Sequence, residues 1–79
     1  MKLSQSQIDT IIEGLENPNT RLESKSFTDL RILQKHDSKY YSMKQDGYTS
    51  LWTKNALLLW VNSESCRDCE LVTETRVKI

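Results

Sequence analysis

The chain has 79 residues, 37% apolar and 28% charged, which fits a single globular domain near the smallest size at which one core holds without a metal or disulfide framework. Eleven basic and eleven acidic residues balance to zero, giving neither the basic excess usual in nucleic-acid-binding domains nor the dense acidity of a DNA mimic. The longest apolar run, Ala56 to Val61, falls far short of the ~20 residues that span a bilayer.

Charge is uneven along the chain. Residues 1–20 set Lys2 against Asp9, Glu13 and Glu16, whereas residues 21–54 carry an excess of Lys and Arg. The opening Met1-Lys2-Leu3-Ser4 lacks the apolar core of a secretory signal, so a cytoplasmic location is expected.

Ser4 and Gln7 form the pattern of a capping box, with Leu3 and Ile8 at the two positions of a hydrophobic staple. Ile8, Ile11, Ile12 and Leu15 then recur at helical spacing, and Asn17-Pro18 stops the run. An amphipathic helix over residues 5–16 is predicted. Residues 19–26 are polar, with Leu22 the only large apolar side chain, and read as a loop or an edge strand.

The segment Phe27 to Gln34 is ambiguous. Ser26 and Asp29 suit a helix cap, yet Leu30 and Ile32 suit one face of a strand turning at His36-Asp37-Ser38; the strand is preferred because hairpin chemistry follows. That chemistry is Asp46-Gly47, the pair favoured by a type I′ turn. It pairs Gln45 with Tyr48, Lys44 with Thr49, Met43 with Ser50 and Tyr41 with Trp52. Tyr41, Met43, Tyr48 and Trp52 then share one face, and Tyr40, Ser42, Leu51 and Thr53 the other.

Lys54-Asn55 reads as a second turn, leading into Ala56 to Val61. A Leu-rich run is also good helix material, but a strand buried on both faces is favoured here. Residues 62–69 are polar and loop-like. From Leu71, apolar and polar residues alternate to Ile79, which predicts one half-buried strand. The expected fold is α+β, a single domain over residues 1–79 with one N-terminal helix on a four- to five-stranded antiparallel meander.

Chemistry-bearing motifs are sparse. Cys66-Arg67-Asp68-Cys69 has metal-ligand spacing, but a structural zinc site needs four ligands, and His36 is the one further nitrogen donor. Cys66, Cys69 and His36 are therefore a weak metal alternative, and no cofactor is expected. No nucleophile elbow, His-Glu-x-x-His helix or glycine-rich phosphate loop occurs. No catalytic residue is assigned, and the chain is read as non-enzymatic.

The residues left to act by contact are the hairpin's aromatics and cations. Tyr, Trp and Met are enriched at protein interfaces, so Tyr41, Met43, Tyr48, Trp52 and Lys44 are the candidate partner-binding set. The expected function is a protein-binding module, an inhibitor or modulator of a larger macromolecular partner, acting as a monomer or homodimer. In size, polar composition and want of catalytic motifs the chain resembles the accessory proteins of phages and mobile elements. The alternative is a small nucleic-acid-binding domain, in which Lys35, Lys39, Lys44 and Lys54 interleave with stacking aromatics, with zinc stapling Cys66 and Cys69.

Overall fold

The first helix is built as its sequence dictates. Ser4 Oγ accepts from the Gln7 backbone N–H at 3.2 Å, and Ser4 N–H donates to Gln7 Oε1 at 2.7 Å, so two otherwise orphaned amides are satisfied. The helix, α1, spans Gln5–Leu15 and buries Ile8, Ile11 and Leu15 along one stripe. Its interior Gly14 lies close over the sheet: a Cβ there would stand 3.0 Å from Leu71 Cδ1, so the Leu71 side chain would have to give way by a few tenths of an ångström.

In this computed structural model residues 3–25, 30–63 and 68–79 are described. After α1 come β1 (Arg21–Lys25), β2 (Leu30–Lys35), β3 (Tyr40–Gln45), β4 (Tyr48–Thr53), α2 (Lys54–Val61), β5 (Cys69–Val72) and β6 (Arg76–Lys78). The six strands form one sheet in the order β4-β3-β2-β1-β5-β6, antiparallel throughout. The expected α+β class and meander hold, with more strands than expected and a second helix.

The β3–β4 hairpin matches its sequence reading residue for residue. Asp46 and Gly47 have φ of 53° and 81°, both positive as a type I′ turn requires, and the pairs are Gln45–Tyr48, Lys44–Thr49, Met43–Ser50 and Tyr41–Trp52. The strand preferred for the ambiguous segment is present as β2, while Ser26 to Asp29 lie outside the described residues.

Three expectations are corrected. The apolar run Ala56 to Val61 is not a strand but most of α2, and Lys54-Asn55 is its first turn rather than a β-turn. Thr53 caps this helix, its Oγ1 accepting from Ala56 N–H at 3.2 Å. Leu57 and Val61 are fully buried whereas Leu59 is 75% exposed, the one-sided burial of a helix. Topology also demands a crossover: the chain must pass from β4 at the sheet's edge to β5 beyond β1, about 19 Å at the usual strand spacing.

The second correction concerns β1, which is neither loop nor edge but lies inside the sheet between β2 and β5. Leu22 and Ser24 point to the buried face, with 0% and 1% exposure. Third, the C-terminal segment is a hairpin, not one strand: β5 and β6 pair through Leu71–Val77 and Val72–Arg76, with a turn over residues 73–75 in which Thr73 N–H donates to Thr75 O at 3.0 Å. Apolar alternation runs straight through that turn, so periodicity alone hides it.

Both helices contribute to one core on one face of the sheet. It joins Ile8, Ile11 and Leu15 of α1, Leu57 and Val61 of α2, and Leu22, Leu33, Tyr41, Met43 and Cys69 of the strands. The other face is covered by no described element.

Candidate interaction surface

The registers assign each strand residue to a face. Leu22, Leu33, Met43, Ser50 and Leu71 belong to the helix-covered side; Glu23, Ile32, Lys44, Thr49 and Glu70 cross the uncovered side in one row, with Arg21, Gln34, Ser42, Leu51 and Val72 in the next. Strand alternation makes this division strict.

The sequence-predicted contact set splits under that division. Tyr41 and Met43 are each only 4% exposed and belong to the core. The Tyr41 hydroxyl donates to Glu16 Oε1 at 3.0 Å, and burial, then that carboxylate, raises its pKa above the usual tyrosine value. Trp52 is half-buried against the core, its ring edge-to-face with Trp60 of α2 at 6.2 Å between centroids. Tyr48 is 80% exposed at the hairpin tip, on the helix side of the sheet. Lys44 is exposed on the opposite face. The five therefore do not form one patch.

Several cations of the nucleic-acid reading are also dispersed. Lys35 Nζ binds Glu16 Oε2 at 2.6 Å, and Lys54 Nζ stands 3.9 Å from Glu16 Oε1. Glu16 caps α1, so this cluster ties the helix end to β2, β3 and α2. The Lys35 and Tyr41 hydrogen bonds hold the Glu16 carboxyl below its ordinary pKa.

On the uncovered face Glu23 is buried to 7% exposure by its own ion pairs. Arg21 Nε donates to its Oε2 and Arg76 to its Oε1, both at 2.8 Å, while Arg76 also reaches Glu70 Oε2 at 3.0 Å. Arg76 thus ties β6 to β1 across β5, and bridges two carboxylates that stand directly opposite each other. The Arg76 bond is the largest influence lowering the Glu23 pKa.

His36 and Cys69 lie at opposite ends of the sheet. Cys69 pairs with Ser24, and Ser24 with Arg31; His36 follows five residues beyond Arg31, about 17 Å along a strand. The two cannot share a metal ion, whose bonds to both would have to be near ~2 Å. Cys66 lies outside the described residues. Among those described, no group of three His, Cys, Asp or Glu is placed to hold a metal. Beside His36, Asp37 serves its turn: Oδ1 accepts from the Lys39 and Tyr40 amides, each at 2.8 Å, which lowers its pKa.

No family model, curated protein or solved structure matches the chain.

What remains as interaction surface is β4 and the uncovered face beside it. Exposed large apolar side chains on that face are Leu51 at 52%, Leu30 at 41% and Tyr40 at 38%. β4 itself, Tyr48-Thr49-Ser50-Leu51-Trp52-Thr53, contains no charge and no proline, two of the devices that normally block an edge strand. In a two-residue hairpin the pair closing the turn is hydrogen-bonded, so Tyr48, Ser50 and Trp52 bond inward to β3. Thr49 and Leu51 turn their main-chain N–H and C=O groups outward. The sequence holds this signal, but it is visible only once β4 is known to be an edge.

Proposed function

We propose that this protein is a non-enzymatic protein-binding module, an inhibitor or modulator that docks a macromolecular partner on the uncovered face and its β4 edge. The observation that carries the reading is the six-residue uncharged edge strand continuous with exposed Leu51 and Tyr40. Main-chain groups on an open edge supply affinity to an added strand, and the neighbouring side chains supply selectivity.

Nucleic-acid binding is the second reading, and the uncovered face gives it one support. Its strands carry Arg21, Lys25, Lys44, Arg76 and Lys78 against Glu23 and Glu70. Arg21 and Arg76 are engaged by the two carboxylates, however, and Tyr40 is the one aromatic among the described strand residues of that face. A stacking platform needs several.

Photo-crosslinking residues at Leu51, Tyr40 and, as a control on the exposed side of α1, Glu13 separate the two. In the cells that make the protein, adducts to protein form from Leu51 and Tyr40 and not from Glu13. Adducts to nucleic acid from Tyr40, or equal labelling from all three positions, contradict the reading.

A further inference from the structure

The proposed function leaves the occupant of the β4 edge unnamed, and resting on that reading we propose that it is a second copy of this chain, with the two β4 strands paired antiparallel about a twofold axis at Leu51. The strand's own sequence supports self-pairing. Centred on Leu51, the register sets Leu51 against Leu51, Thr49 against Thr53 and Ser50 against Trp52. Apolar and Thr–Thr cross-strand pairs are favourable, and the small Ser50 leaves room for the large Trp52.

The outward main-chain groups of Thr49 and Leu51, with the Thr53 N–H, form about four hydrogen bonds in this arrangement. Exposed Leu51 gains cover on the open face. The same register brings Tyr48, 80% exposed in one chain, to the end of the second copy's β4, where its α2 begins.

Charge separates the two edges of the sheet. A copy approaching β4 meets no like charge within the strand. At β6 the edge is Arg76-Val77-Lys78, so a symmetric approach there brings cations together. Such edge cations discourage pairing. An isologous twofold contact also closes on itself and does not propagate into a fibre.

The test is the mass in solution, followed by sedimentation equilibrium from low micromolar to near-millimolar concentration, of the full chain and three variants. Leu51→Pro removes the outward N–H that donates across the twofold axis and that β3 does not use. Leu51→Lys sets two ammonium groups against each other at the axis, and Val77→Lys alters the opposite edge as a control. The wild type and Val77→Lys pass from one to two chain masses as concentration rises. Leu51→Pro stays at one, and Leu51→Lys weakens association about tenfold or more with an unchanged circular dichroism spectrum, so the result survives even if proline disturbs folding. A wild type that remains at one chain mass, a dimer that survives Leu51→Lys, or one lost in Val77→Lys overturns the pairing. If the wild type stays monomeric while Leu51 still cross-links to a different protein, only this inference fails and the binding function stands.

Discussion

Leu57→Ala costs about 3 kcal/mol of folding stability, whereas Leu59→Ala, two residues away, stays within about 0.5 kcal/mol of the parent. Leu57 is fully buried in the shared core and Leu59 is 75% exposed. Truncating the first removes methylenes from water-free packing and leaves a cavity; truncating the second exposes nothing new and substitutes the best helix former. In a strand, positions 57 and 59 would share a face and respond alike. Chemical denaturation of the two variants therefore measures the helical period directly. For a domain of this size about 3 kcal/mol is a large part of the total, so Leu57→Ala also shows a partly unfolded baseline on modest warming. Equal losses at the two positions would contradict a helix there.

Glu23→Gln lowers stability near neutral pH by about 1–2 kcal/mol, a figure reduced because both guanidinium partners are well exposed. In the folded chain Arg76, then Arg21, hold the Glu23 carboxyl below the ordinary value of 4.5. Between that depressed value and 4.5 the unfolded chain binds more protons, so stability rises with pH across the window. The contribution is complete above about 4.5 and is lost as pH falls through the folded value. Glu16 and Asp37 are lowered too and act in the same direction. Urea unfolding of parent and variant on both sides of pH 4.5 therefore converges in acid, with Glu23→Gln showing the smaller slope. A constant difference at every pH would show that the Glu23 charge is not what β6 is held by.

How much of this was legible depended on whether the signal was local. The α1 cap needs only Ser4 and Gln7, and the β3–β4 register needs only Asp46-Gly47 and the alternation beside it; both follow from chemistry within a few residues. The strand–helix choice at Ala56 to Val61 is not local, because an unbroken apolar run satisfies either period and the crossover from β4 to β5 decides it. β1 was hidden by its charges, since Glu23 sits inside the sheet paired with Arg21 and with Arg76, the latter far away in sequence. The C-terminal turn was hidden by the threonines that continue the alternation through it.

The candidate site followed the same rule. Exposed Tyr48 and Lys44 were identifiable as surface residues from the hairpin alone. Tyr41 and Met43 lie on the face that α1 and α2 cover, and which face of the hairpin the helices take is not a local signal. The β4 edge emerged only from the strand order.

The central claim, that β4 is where this protein meets another, is tested most directly by amide hydrogen exchange resolved residue by residue along Tyr48 to Thr53. In dilute protein the account predicts rapid exchange at Thr49 and Leu51 and slow exchange at Ser50 and Trp52, which bond to β3. On raising the concentration, Leu51 and Thr53 become protected, while Thr49, whose N–H faces the helix-bound Thr53 carbonyl, and the inward amides change little. Protection of Thr49 and Leu51 already in the dilute monomer would mean that the edge is covered within one chain; exchange that stays rapid at Leu51 in the associated state would mean that association uses another surface, and either result contradicts the claim.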